Sequence, residues 1–238
     1  LTAQYYGAKR DRDLKETVHT SMLLSLYSGL LLTVVGLIGA PKLLELMQAP
    51  PEVLNLAVLY LRIYFLGMAS MMVYNFGSAI LRAVGDTKRP LYYLLGAGIV
   101  NVVLNLFFVI VCHLGVAGVA MATVISQTIS AFLVVRCLVR EQGGIHLDLK
   151  ALAITKEKLG KIMQIGLPAG FQGTVFSLSN VVIQSAVNSF GNIAVAGNSA
   201  AANIEGFVYM AMNAFHQATI SFTSQNYGAR AYKRIYKI

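Results

Sequence analysis

Four stretches of this chain contain no Asp, Glu, Lys or Arg. They are 25 residues between Glu16 and Lys42, 19 between Arg62 and Arg82, 46 between Arg89 and Arg136, and 43 between Lys161 and Glu205. A helix crosses the hydrocarbon core of a bilayer with about 20 predominantly apolar residues. Blocks of this length therefore belong in a membrane, and the third is long enough for two spans. Only 12% of the residues are charged and 56% are hydrophobic, where a soluble domain carries roughly a quarter charged residues. The expected fold is an all-α, polytopic helical bundle. Its six transmembrane helices are expected at about 17–40, 60–82, 91–112, 115–137, 162–188 and 193–222.

The net charge of +9 raises the question of nucleic acid, and topology answers it. With the first segment placed in the cytoplasm, 17 of the 19 basic residues fall on that side and only Lys42 and Arg62 fall outside. That is the positive-inside pattern, so no nucleic-acid partner is expected. Arg62 reaches the outer headgroups by snorkelling if its span starts near Ile63. Cys112 falls at an outer helix end and Cys137 at an inner one. Their separation is close to the bilayer thickness, far beyond the reach of a disulfide within one chain.

Turn residues divide the spans. Gly39-Ala40-Pro41 and the Pro50-Pro51 pair mark the first outer loop, and Gly85-Asp86-Thr87-Lys88-Arg89-Pro90 the first complete inner one. His113-Leu114-Gly115 and Phe190-Gly191-Asn192 mark the next two outer turns. The segment 138–161 is polar and is read as a cytoplasmic linker. Within it, Thr155-Lys156-Glu157-Lys158 opens a short surface helix. The linker separates residues 1–137, with four spans, from residues 162–238, with two.

A repeat links the two ends of the chain. Thr2-Ala3-Gln4-Tyr5-Tyr6-Gly7-Ala8-Lys9 returns as Thr223-Ser224-Gln225-Asn226-Tyr227-Gly228-Ala229-Arg230, 221 residues later. A repeat at that distance is a duplicated domain. The chain is therefore expected to be an internal piece of a protein about twice its length. Six spans lie between the copies, so both lie on the same face. Parallel repeats of six helices around an axis along the membrane normal are typical of secondary transporters, with the site between the halves.

Polar residues within the spans are the candidate site. Glu205 is the only acidic residue deep in an expected span, where a carboxylate costs several kcal/mol. At 100° per residue, Asn198, Glu205, Tyr209, Asn213 and His216 share one helix face. Asn180, Gln184 and Asn188 form a second stripe at intervals of four. Asn101 and Asn105 share a face of the third span, and Gln127 lies in the fourth. Each stripe has two readings: contact with a coupling ion or substrate, or a polar seam that holds helices together. His19, His113, His146 and His216 show no metal-ligand spacing, and no nucleotide-binding turn or facing carboxylate pair is present. Neither enzyme chemistry nor a metal or organic cofactor is expected.

The sequence Leu81-Arg82-Ala83-Val84-Gly85-Asp86-Thr87-Lys88-Arg89-Pro90, then Asn101, then the run Gly115 to Gln127, resembles the MATE (multidrug and toxic compound extrusion) transporters. Gly166-Leu167-Pro168, Phe190-Gly191 and the duplicated Gln-x-Tyr-Gly-Ala segments are similar to further family motifs. The resemblance covers essentially the whole chain. By it the chain runs from the end of the second helix through the eighth, in a two-lobe bundle of six plus six. It implies a monomeric, multi-pass plasma-membrane antiporter. Such a protein exchanges cationic or amphipathic compounds for H⁺ or Na⁺ by rocking two lobes. One branch of the family carries Asn then Asp where this chain has Asn101 and Asn105. Another carries Glu where it has Phe176. Glu205 is then the remaining acidic candidate. Two alternatives stand beside this reading. One is a flippase of lipid-linked oligosaccharides from the same superfamily, expected to carry several cations in its cleft. The other is a membrane-embedded enzyme.

Overall fold

The computed structural model describes residues 1–46, 51–188 and 190–238, and among these all regular structure is helical. The order is α1 (Thr2–Gly7), α2 (Asp11–Leu46), α3 (Pro51–Leu66), α4 (Met68–Ala83), α5 (Lys88–Leu106), α6 (Gly115–Arg140), α7 (Lys156–Asn188), α8 (Asn192–Gly228) and α9 (Tyr232–Ile235). α5 continues into a wider turn over Phe107–Val111. By length and composition α2, α5 and α6 can each cross a membrane, and so can α3 and α4 taken as one bent span. α7 and α8 coincide with the last two expected spans and are long enough at 33 and 37 residues. Their amides, hydroxyls and glycines leave them less apolar than that group.

α2 starts with Asp11 and Asp13 in its first turn, where carboxylates face the positive end of the helix dipole. It does not stop at Gly39-Ala40-Pro41 as expected: all three lie inside the helix. Proline's fixed φ suits a helix, and a membrane helix tolerates the lost hydrogen bond better than a soluble one. Pro51 opens α3, a position where its missing N–H is not needed. Pro50 lies outside the described residues. The second expected span, 60–82, is therefore the inner part of a longer pair that bends by 45° between Leu66 and Met68. Gly67, at the bend, lets Val124 of α6 approach: a Cβ there would lie 3.0 Å from its Cγ2.

The cluster is built on close contacts at small residues. α2 packs on α3 and α4, α4 on α6, and α6 on α3 and α5. A Cβ on Gly29 of α2 would lie 2.5 Å from the Ala69 Cα. Lipid offers apolar side chains as good a home as protein does, so membrane helices associate through such close packing. The same physics explains the surface. Ile38 is 76% exposed and Ile99 68%, a display that water would penalise and lipid does not.

The buried apolar core lies at the end expected to be cytoplasmic. Leu14, Val18, Ile80, Leu81, Val134 and Leu138 meet there. The expected linker contributes to it. Ile145 and Leu147 are buried in this core, and the Leu147 N–H donates to the Leu138 carbonyl at 3.0 Å. Buried side chains of α2 satisfy its backbone: Asp148 N–H donates to His19 Nε2 and Thr155 N–H to Thr20 Oγ1, both at 3.1 Å. α7 then runs for 33 residues from Lys156, so the short surface helix expected at 155–158 is the root of a long one.

The turns at 85–90 and 113–115 form as expected. Gly85 has φ +97, His113 φ +53 and Gly115 φ +54. Asp86 Oδ1 accepts from the Arg89 N–H at 3.1 Å and closes the first turn of α5, whereas Thr87 makes no side-chain cap. The Arg89 guanidinium also pairs with Asp86 and Glu141 and lies 3.2 Å from Cys137 Sγ. Cys137 is buried and Cys112 exposed, both as free thiols. At the third turn, Gly191 has φ +88 and its carbonyl accepts from Val195 N–H at 3.1 Å.

Candidate functional site

The two copies of the repeat pack against each other. α1 carries the first and the end of α8 the second, and α8 is held to α1 more extensively than to any other helix. Both copies end in the same local geometry. Ala8 N–H donates to Gln4 O at 2.9 Å and Ala229 N–H to Gln225 O at 3.0 Å. Arg10 N–H reaches back to Tyr5 O at 3.1 Å, and Ala231 N–H to Asn226 O at 2.9 Å. The residue after each cap is left-handed, Lys9 at φ +53 and Arg230 at φ +56. That pattern closes the last carbonyls of a helix, here with a basic residue where glycine is commoner.

The contact is reciprocal. A Cβ on Gly7 would collide with the Gln225 carbonyl and lie 2.9 Å from its Cα. A Cβ on Gly228 would collide with the Gln4 carbonyl and lie 2.9 Å from its Cα. Each glycine thus receives the other copy's glutamine backbone. Gln225 also donates through Nε2 to the Ala83 carbonyl at the end of α4, at 2.6 Å.

Beside this contact lies an open groove of about 690 Å³ between the α4–α5 turn and α8. Its polar lining is Arg82 and Thr87 on one wall and Asn213, Gln217, Ser221 and Gln225 on the other. The four α8 residues recur every four positions, a signal present in the sequence and not singled out above. A smaller pocket of about 250 Å³ adjoins it and shares Arg82, Gln217 and Ser221. Arg82 is the only charged side chain among the residues lining either one.

Around the first copy the charges are dense. Lys158, at the root of α7, is buried with only 1% of its side chain exposed. Its Nζ is 2.5 Å from Asp13 Oδ1, 3.4 Å from Glu157 Oε1, and 4.9 Å above the Tyr5 ring. Burial opposes its charge, but the hydrogen bond to Asp13 and the neighbouring anions outweigh that and hold its pKa well above the ordinary lysine value. Lys161 donates to the Tyr5 hydroxyl at 3.3 Å and to Glu157 at 2.6 Å. The sequence did not reveal this cluster, because its members are up to 156 positions apart.

The expected site residues separate into three places. Asn101 and Asn105 of α5 join α6: Asn101 Nδ2 donates to Ser126 Oγ at 3.2 Å, and Asn105 Nδ2 to Asn101 Oδ1 at 3.0 Å. Asn105 Oδ1 is enclosed and has no partner among the described residues. Gln127 is half-buried on α6 and is not among the partners in this cluster. Between α7 and α8, Asn198 Nδ2 lies 3.4 Å from Gln184 Oε1, and Asn180 is exposed one turn away. The Asn188 side chain lies outside the described residues. On α8 itself, Glu205, Tyr209 and His216 are exposed and form no ion pair or hydrogen bond among the described residues. Asn213 reaches the groove. Among the described residues no group of three His, Cys, Asp or Glu side chains is placed to hold a metal.

The chain matches the family model MatE over residues 1–107 and 168–238. It is 31% identical over its whole length to "Probable multidrug resistance protein YoeA" of Bacillus subtilis (strain 168), covering 53% of that protein. It is 34% identical to "Probable multidrug resistance protein YpnP" of the same organism, over 84% of this chain and 44% of that one. Among solved structures it superposes with a TM-score of 0.91 on the outward-facing conformation of a multidrug resistance MATE family transporter of the MOP superfamily. That match has 26% identity over 99% of this chain and 53% of the other. The chain spans about half the length of the curated relatives it matches.

Proposed function

Because this chain belongs to the MatE family, membrane transporters and not enzymes, we propose that the whole protein is a secondary active multidrug efflux transporter. It sits in the plasma membrane as a multi-pass monomer. It exports cationic or amphipathic compounds in exchange for inward H⁺ or Na⁺. Residues 1–137 belong to one lobe, 138–161 connect the lobes, and 162–238 begin the second. The observation that carries this reading is the packing of the two repeat copies against each other beside a polar groove. A duplicated bundle that meets itself about an axis along the membrane normal places a cleft between its halves, where secondary transporters hold substrate. The groove lining presents one cation, Arg82. A carrier of pyrophosphate-linked lipids needs more positive charge than that.

Coupling and substrate contact are assigned to the polar faces of α8, α7 and α5. Glu205 is the acid among them, with Asn198, Tyr209, Asn213 and His216 on its face. Asn180 and Gln184 on α7, and Asn101, Asn105 and Gln127 on α5 and α6, supply neutral dipoles. An ionised Glu205 is stabilised by a bound Na⁺ or cationic drug. When protonated it releases that cation. Binding of ion and drug to one carboxylate is therefore mutually exclusive, which is the requirement of exchange.

The test is efflux of a fluorescent cation from everted vesicles containing the whole protein, driven by a pH or Na⁺ gradient. Glu205→Gln keeps the shape and removes the charge. It is expected to abolish or strongly reduce exchange with expression unchanged. Transport at the parental rate under both gradients removes Glu205 from the mechanism. No transport by the parent under either gradient removes the function itself.

A further inference from the structure

Resting on the transporter reading above, we infer that the reciprocal contact between α1 and α8 is the cytoplasmic closure of the cleft, with Gly7 and Gly228 as the positioning residues that let it shut. Three observations carry this. First, the contact is self-complementary. Each copy offers one glycine and one glutamine carbonyl, and each glycine receives the other copy's carbonyl. A patch that meets itself about a two-fold axis closes in a single orientation. Any rocking of the two halves about that axis must part both contacts together.

Second, nothing interlocks across it. Backbone meets backbone at the two glycines, and the only side-chain bond nearby is Gln225 Nε2 to the Ala83 carbonyl. Glycine-on-carbonyl contacts of this kind are individually weak. The surfaces can separate without dragging a side chain through a packed core, as parting α2 from α4 at Gly29 would require.

Third, the contact sits between the groove and the charged end of the molecule. Along α8 the groove is lined by Asn213, Gln217, Ser221 and Gln225, and Gly228 follows on the cytoplasmic side. Beyond it come Arg230, Lys233, Arg234 and Lys237, with Lys9 and Arg10 beside the first copy. Closing this contact shuts the groove from the cytoplasm. A methyl at either glycine holds the backbones apart and favours the inward-open arrangement.

The test uses the whole transporter in a cysteine-free background with one reporter, Ser221→Cys, in the groove. Inside-out vesicles are treated with a membrane-impermeant maleimide, and efflux is measured in parallel. Gly7→Ala and Gly228→Ala are each expected to raise the labelling rate roughly fivefold or more and to slow efflux. The double variant is expected to label no faster than the faster single one, because one closure is already open. Gly96→Ala, with open space around its Cβ position, leaves labelling and melting unchanged. Gly29→Ala lowers the melting temperature without raising labelling.

Unchanged labelling in both clasp variants at parental melting temperature overturns the inference. So does an increase in the double variant equal to the product of the two singles, or an equal increase from Gly29→Ala. Loss of both single variants from the membrane while Gly29→Ala is retained assigns the contact to folding. A parent that does not transport removes the transporter reading, while the labelling rates still report whether the contact closes the groove.

Discussion

The ends of α1 and α8 carry the same sequence and the same turn, yet their surroundings differ. Gln4 and Gln225, Gly7 and Gly228, and the left-handed Lys9 and Arg230 are matched pair by pair. One step away, Tyr5 corresponds to Asn226. Tyr5 is 7% exposed, with the cationic groups of Lys158, Arg10 and Lys161 at 4.9, 5.4 and 6.0 Å from its ring centre. Asn226 instead donates to the Phe222 carbonyl in its own helix at 2.9 Å. Duplication has kept what the copies need in order to touch each other. It has released what faces elsewhere, and only the first copy anchors the root of α7.

The strongest way to break that asymmetry is to remove Lys158. Lys158→Ala leaves Asp13 without its closest cation in a largely enclosed site, and breaking a buried pair from one side costs about 3 kcal/mol. The melting temperature of the purified whole protein is expected to fall by several degrees, and a value within one degree of the parent denies the cluster any structural role. Tyr5→Asn makes the first copy resemble the second. It loses ring packing and the facing cations at a cost of about 2 kcal/mol. Denaturant melts in detergent should show that loss without any change at the second copy.

Gln225→Leu removes the bond to the Ala83 carbonyl, worth about 1 kcal/mol. Hydrogen exchange at the end of α4 is expected to quicken, and equal protection in variant and parent would leave the bond without weight. Asn226→Tyr, the converse exchange, is expected to change stability by less than about 0.5 kcal/mol, as surface substitutions do. A loss as large as that of Tyr5→Asn would mean the two copies are equivalent after all.

Much of the fold is written in charge spacing. α2, α5 and α6 each cover an expected span, because a block of apolar residues between charges has one stable home. The bend between α3 and α4 was not legible. A single Gly67 in an apolar run does not distinguish a packing contact from a break. Gly39-Ala40-Pro41 misled for a related reason: in water it stops a helix, and in lipid it need not. The candidate site is legible in part. The polar stripes recur at helical intervals, and the repeat announced a symmetric contact. Which side chains face one another depends on the crossing of helices far apart in sequence. Lys158 looked like a solvated charge in a polar run and is instead the largest fully buried side chain.

Lys158 also sets the mechanics of α7. It pins the first turn of that helix against α2, while Pro168, twelve residues from the start, lies inside the helix. A proline there leaves one backbone carbonyl unbonded and is a common place for a helix to flex. The helix is therefore a lever with a clamped root and a pivot part-way along. From Pro168 to Asn188 the arm is about 30 Å long at 1.5 Å per residue. Rotating it by ~10° about that pivot sweeps its far tip through ~5 Å, about the rise of one helical turn, while the root stays still.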